Sequence, residues 1–450
     1  MNGARASMDN GGSVPLAGRS GPGAVGSASP TEWPERVSVV VIGGGIVGVC
    51  TALSLARWGV SVALLEKGRV AAEQSSRNWG WVRMQGRDRA EVPLMLESRR
   101  QWAGIVPALD IDIGFRRIGC TYLAPDANAL ALQLRFLATA REFGLDTHAM
   151  APAALAGLLG PIGVPVAGGL HTPSDCCAEP SLAVPAMARL AARLGASVFE
   201  HTAVRRLLLR QGRVVGVATE HGPIACDEVV LAGGVWSRSF LENHGLGLPQ
   251  LGVISSAQRT TPVALPFATA VNGPGVAMRK RLDGGATIAR VSTGRFELIP
   301  AAFSHFKAFQ PVRRDPGRTV SLHLGRSFFG PLGRHRWGEN EVSPFERLRI
   351  MDPTPDARLL DDILASARRL LPAFRDARPA ERWAGMIDVM PDEVPVIDRV
   401  AAIPGLTLAT GFSGHGFGLG PGAGLLTAQI VAGREPCVPP EPFRLARFGG

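Results

Sequence analysis

The sequence predicts an α/β fold with a second, α+β domain beside it. Three observations lead there. An apolar, β-branched run at 37–42 opens into a glycine turn, a helix and a second strand. Two more short apolar strands, at 228–232 and 406–409, return far along the chain, so the parallel sheet they would join is built from discontinuous segments. The stretches between carry alternating patterns and a hairpin signal at Asp283-Gly284, as an antiparallel sheet would. The chain has 450 residues, 46% hydrophobic and 19% charged. At roughly 100–200 residues per domain, that allows two or three domains, or two folded from interleaved segments.

The first unit is the most informative. Gly43-Gly44-Gly45-Ile46-Val47-Gly48 follows the strand directly. Gly43 allows the tight turn, Gly45 lets a pyrophosphate approach the backbone, and Gly48 lets helix and strand pack closely. The helix start at Ile46 and Val47 offers free N–H groups and a partial positive charge to phosphates. The helix runs to a cap at Gly59, and 60–65 read as a second strand. Glu66 stands at its end, 18 residues beyond Gly48, with Lys67 after it. A carboxylate there accepts hydrogen bonds from a ribose diol and disfavours a 2′-phosphate. This order is that of a Rossmann-type dinucleotide-binding unit, and both NAD and FAD satisfy it.

Four further segments resemble those of the FAD-dependent D-amino-acid oxidase and dehydrogenase superfamily, over about 37–433. The first is Gln74-Ser-Ser-Arg-Asn-Trp-Gly-Trp-Val-Arg83. The resemblance implies that Ser75, Ser76, Asn78 and Trp79 carry the chain past the pyrophosphate, and that Gly80 lets it pass close to the flavin. No histidine stands there, so the resemblance implies non-covalent FAD. The second, 195–237, reads strand, hairpin at Gln211-Gly212, and strand; Val204 would hold adenine through its backbone, with Gly233, Gly234 and Trp236 beyond. The third is Arg382-Trp-Ala-Gly385 with Met390-Pro-Asp-Glu-Val-Pro-Val-Ile397. The fourth, 410–424, is a glycine-rich loop in which Gly411, Gly414, His415, Gly416, Phe417 and Gly418 would lie against the ring. A helix is expected beyond it, at 425–432.

The resemblance implies a Rossmann-type FAD-binding domain built from 37–98, 166–248 and 375–435. A second, α+β antiparallel-sheet substrate domain would take 99–165 and 249–374, with a helix at 359–371. Residues 1–36, rich in Gly, Ser, Ala and Pro, read as a disordered extension, and 436–450 as a tail.

The implied function is oxidation of the C–N bond of an amino acid or secondary amine, such as a D-amino acid, an opine or an N-alkyl amino acid. The product is an imine, formed by hydride transfer to flavin. The alternatives are a 2-hydroxy-acid oxidising flavoprotein, or a flavin subunit active only in a hetero-complex with small iron–sulfur subunits. The electron acceptor would be O2 or a quinone or dye. Arg83 is the candidate carboxylate clamp, with Arg87 in reserve, because a guanidinium fork suits a carboxylate. His415 is the second candidate, as donor to the ring or part of the substrate site. His171 and Asp175 rank below them. One departure from the family is plain: the only tyrosine is Tyr122. A tyrosine-built substrate site is therefore excluded, which points to the bacterial D-amino-acid dehydrogenase and opine-oxidase branch.

Composition excludes other classes. The net charge is +10, yet only three of the 48 basic residues are lysines and the arginines are scattered. No basic tract beyond Arg279-Lys280-Arg281 suggests nucleic acid. The plain reading of this charge is an arginine-biased coding composition, and the alternative is contact with anionic lipid or an acidic partner. Reduced thiols fit the cytoplasm, and lipid contact would place the protein peripherally at the inner membrane. The six cysteines form no CxxC pair and suit no metal. The apolar stretch 37–56 has its glycines where a nucleotide turn needs them, so no integral membrane span is expected.

Overall fold

A computed structural model describes residues 32–310, 319–333 and 336–449. The expected extension lies, up to residue 31, outside the described residues. A six-stranded sheet forms the first layer, in the order Val396–Arg399, Leu406–Thr410, Glu228–Leu231, Val39–Ile42, Val62–Leu65, Ser197–Phe199. The last five run parallel, and Val396–Arg399 is antiparallel to its neighbour. The strands at 228, 39 and 62 pair across a long stretch of sequence because each is apolar on both faces. The helix Ile46–Arg57 and the proline-initiated helix Pro180–Arg193 pack into one apolar core with them.

The second sheet has ten strands. Its spine is Leu251–Thr260, paired antiparallel with Pro379–Val389 along nearly its whole length. The Asp283-Gly284 hairpin is present, joining Val276–Lys280 to Ala286–Ala289. The expected antiparallel sheet is in fact mixed. Ala270–Gly273 runs parallel to Cys120–Ala124, and Thr293–Glu297 runs parallel to Thr319–His323. The first joins segments 150 residues apart and the second joins successive strands 26 residues apart in register, and strand patterns reveal neither direction. Gly168–Thr172 also joins this sheet, against Cys120–Ala124. The helix expected at 359–371 is Ala357–Leu370, capped by the Asp356 carboxylate on the Leu359 amide.

The largest difference from expectation is the last helix. It begins at Gly416, not near 425, and runs Gly416–Val431 through the glycines read as a loop. Those glycines are a contact face. A Cβ at Gly420 would stand 2.7 Å from Ile46, at Gly422 2.7 Å from the Leu94 carbonyl oxygen, and at Gly424 2.5 Å from Cys50. Glycine disfavours a helix by about 1 kcal/mol per residue. Here the close approach of two other helices offsets that cost. Ser98 Oγ and Trp102 Nε1 both donate to the Gly418 carbonyl and fix the join.

Candidate active site

A cavity of ≈ 850 Å³ lies between the two sheets. That falls within the ~300–1,000 Å³ of small-molecule and cofactor sites. Gly43, Gly45, Ile46, Val47, Glu66, Lys67, Ser75, Asn78 and Trp79 line one end, with Val204, Gly233, Gly234 and Trp236. Gly414, His415, Gly416, Phe417 and Gly418 line the wall further along. Four predicted residues do not reach it: Gly48, Ser76, Gly80 and Gly411 are absent from the lining. Each has a local duty instead. A Cβ at Gly48 would fall 2.0 Å from the Gly43 carbonyl oxygen. Gly80 adopts φ +77 and packs against the Ala178 carbonyl and the Arg279 guanidinium. Ser76 Oγ donates to Glu73, and the Gly411 amide donates to Asp388.

The cradle is built by backbone. Gly43 has φ +110, and a side chain there would meet the Ala232 carbonyl. The Ile46 amide donates to Ser75 Oγ at 2.9 Å. Among the described residues, no acceptor meets the amides of Gly45 or Val47, which open on the cavity. Free amides at a helix start suit a pyrophosphate. The Glu66 carboxylate accepts from the amides of Gly44 and Gly68, each at 2.7 Å. A carboxylate has about four lone-pair sites, so capacity remains for a ribose diol. Glu73, which sequence reasoning missed, gathers this end. It takes Lys67 Nζ at 2.7 Å, the Trp236 indole at 3.0 Å and the Met351 amide at 2.9 Å. These residues fit a dinucleotide.

The far wall is a buried charge cluster. Arg83, Arg87 and His415 line the cavity. Glu91 lies behind them, 0% exposed, on the 3-10 turn Arg89–Glu91. His415 Nδ1 stands 3.1 Å from Glu91 Oε2, joining positions 324 residues apart. Arg87 Nη1 is 3.8 Å from the same oxygen and has no hydrogen-bond partner. Arg87 Nη2 would stand 3.2 Å from a Cβ at Gly418, which places the guanidinium beside the last helix's first turn. The Arg83 guanidinium donates to the Gln85 carbonyl and lies over the Tyr122 ring at 5.8 Å.

Burial raises the Glu91 carboxyl, but His415, Arg87 and Arg83 together hold it below the usual range. Burial, then Arg87, lowers the His415 imidazole, against the pull of Glu91. Burial and Arg83 bring Arg87 down to about 10. Asp175 is not in the lining; it sits one layer behind, accepting from the Met84 amide at 2.7 Å and the Gln85 amide at 3.3 Å. His171 bonds Thr121 Oγ1 and also misses the cavity.

Glu91 had one sequence signal, its i,i+4 spacing from Arg87. Nothing in sequence tied it to His415. Arg290, Trp81 and Asp388 also line the cavity without having been singled out.

A dinucleotide cradle opening onto a cationic wall between two sheets is an arrangement suited to a nucleotide-dependent oxidoreductase. The sequence profile described as FAD dependent oxidoreductase, of the DAO group, matches residues 38–430, and the chain belongs to that family. Glycine oxidase of Pseudomonas aeruginosa is 28% identical over 424 residues, covering 90% of this chain and 97% of that one. L-amino acid deaminase from Proteus myxofaciens, solved in complex with anthranilate, superposes with a TM-score of 0.88 at 31% identity, covering 93% of this chain and 95% of its own. L-amino acid deaminase from Proteus vulgaris superposes at 0.87 with 29% identity, covering 92% of this chain and 98% of its own. No described helix is long and apolar enough to cross a membrane. The described residues contain no group of three or more His, Cys, Asp or Glu able to hold a metal.

Proposed function

We propose that this chain oxidises the C–N bond of an amino acid with non-covalently held FAD. The observation that carries the reading is the pair of guanidinium side chains, Arg83 and Arg87, that line the cavity wall beyond the cradle. Cations held in a buried wall are stabilised when an anion enters beside them. A substrate carboxylate supplies that anion. Both arginines also donate within the wall, Arg83 to the Gln85 carbonyl and Arg87 Nε to the Arg83 carbonyl, so the clamp is the pair.

The Gly45 and Val47 amides would hold the pyrophosphate, Glu66 a ribose, and Val204 and Trp236 the walls near the adenosine. The helix start at Gly416 presents its amides and positive dipole end to the cavity. Bound FAD supplies the two-electron acceptor. The protein's own work is to hold the carboxylate, exclude water and manage the proton of the amine. On this reading the parallel sheet serves the cofactor and the ten-stranded sheet serves the substrate, although Gly168–Thr172 and Pro379–Val389, both expected in the cofactor domain, belong to the ten-stranded sheet.

The Proteus deaminases make L-amino acids the first substrates to test, followed by glycine, N-methyl and D-amino acids, opines and 2-hydroxy acids. The experiment is anaerobic mixing of the yellow protein with each compound while flavin absorbance is followed. Bleaching by an amino acid, with the oxo acid and ammonia or amine as products, supports the reading. Bleaching by hydroxy acids alone, or flavin that survives denaturation attached to protein, overturns it. Peroxide release on readmitting air assigns O2 as the acceptor; its absence with dye reduction assigns a quinone or dye.

A further inference from the structure

We propose that His415 accepts the substrate's ammonium proton at Nε2 and keeps it while the C–H bond is broken, with Glu91 as its positioning residue. This rests on the amino-acid reading above. An amino acid arrives as an ammonium, and only the neutral amine can release electrons into the developing C=N bond. The proton must go somewhere. In a site shielded from water it goes to a nearby base or is lost before the substrate enters.

Three features of the wall fit His415 to that task. First, it is the residue immediately before the last helix, where the glycine segment meets the cavity, and 22% of its side chain remains accessible. Second, its tautomer is fixed. Glu91 is a fully buried carboxylate that can only accept, so Nδ1 carries the hydrogen. That leaves Nε2 as a bare acceptor, and among the described residues it has no partner. The logic is that of a carboxylate orienting a catalytic imidazole. Third, the charge that arrives is answered locally. The groups facing the imidazole are Glu91, Arg87 and Arg83, and burial with the two arginines keeps it neutral before substrate binds. The substrate carboxylate offsets the arginines on binding. A proton on Nε2 then gives an imidazolium faced by the Glu91 carboxylate. The step balances: the ammonium N–H bond breaks, its electron pair stays on nitrogen, and the proton forms a new N–H bond at Nε2.

The pH dependence of kcat/KM separates a retained proton from one lost to solvent. If His415 keeps it, the reactive complex has the composition of neutral imidazole plus zwitterionic substrate. The wild-type profile is then flat between the imidazole pKa and the substrate ammonium pKa. In His415→Asn the reactive species is free enzyme plus neutral amine, so kcat/KM climbs tenfold per pH unit across the same range. The variant loses about 10²-fold at neutral pH, in the usual range for a general base, and recovers as pH approaches the ammonium pKa. Glu91→Gln removes the group that raises the imidazole, so the acid limb moves to lower pH and the plateau persists.

Holoenzyme of each variant is used, with the flavin spectrum confirming an intact site. The independent readout is a histidine NMR titration of the unreacted proteins, in which the resonance missing from His415→Asn must titrate lower in Glu91→Gln. A His415→Asn profile that stays flat, or falls equally at every pH, overturns the proposal and leaves the amino-acid reading intact. So does an unchanged titration in Glu91→Gln. Failure of every amino acid to bleach the flavin overturns the reading itself, and the proposal with it.

Discussion

The two ends of the cavity are made in opposite ways. The cradle end is backbone: a strand, a turn, a helix start and an acid, all within 43–66. The wall end is side chain: Arg83, Arg87 and Glu91 from one stretch, closed by His415 from 324 residues beyond Glu91. The cradle tolerates no added atoms, because neighbours already sit where a Cβ would go. The wall is underfilled in hydrogen bonds, with a guanidinium nitrogen and a carboxylate oxygen left without hydrogen-bond partners. Steric fit shapes the cradle, and charge shapes the wall.

The largest break in this comparison comes from Gly48. A methyl there would overlap the Gly43 carbonyl oxygen at 2.0 Å, forcing the helix off the strand. Gly48→Ala is expected to lose more than about 4 kcal/mol and its flavin, as severe backbone overlap does. Gly59, with φ +73 and nothing near its Cβ, is the control; Gly59→Ala costs about 1 kcal/mol. Thermal unfolding and flavin absorbance per protein check both. A yellow Gly48→Ala protein melting close to wild type would show that the turn has slack.

The same contrast explains what the sequence made legible. Steric demands leave single-residue signatures, so Gly43, Gly45 and Glu66 could be placed in sequence and stand at the cavity. The strands at 39, 62, 228 and 406 carry their own apolar pattern, and they pair as expected. The glycines of 416–424 left a signature too, but it was ambiguous. Glycine permits a loop and permits close helix packing, and only the positions of Ile46, Leu94 and Cys50 decide between them. The ion pair of Glu91 with His415 left none, because its geometry depends on tertiary contacts of the last helix. The parallel pairings in the ten-stranded sheet were hidden for the same reason.

The second break addresses the wall. Arg87→Met removes a guanidinium from the cavity wall while keeping much of the apolar stem that packs near Gly418. For a substrate with a carboxylate, kcat/KM should fall roughly 10²- to 10³-fold, as for loss of one partner of a buried charge pair. An amine lacking the carboxylate should react no worse with the variant than with wild type. Equal losses for both compounds would mean that Arg87 supports Glu91 and holds no substrate.

The third break sharpens the comparison one layer further back. Asp175 supports the wall by accepting two amides of the segment that carries Arg83 and Arg87, yet burial raises its carboxyl to about 7. The sign follows from linkage. Between the ordinary carboxyl value of 3.8 and about 7, the folded protein holds this proton and the unfolded chain does not. Stability therefore falls as pH rises through that window, by up to about 1.4 kcal/mol per pH unit, and levels off above it. Asp175→Asn cannot ionise, so it lacks this slope. The stability difference, variant minus wild type, should grow from pH 4 to pH 7 in urea titrations and then stay constant. A difference that stays flat would mean that the two amides already hold Asp175 ionised in the folded state. The charge balance of the wall would then include a second permanent carboxylate beside Glu91, and the pull of Arg83 and Arg87 on a substrate anion would be weaker than their place in the lining implies.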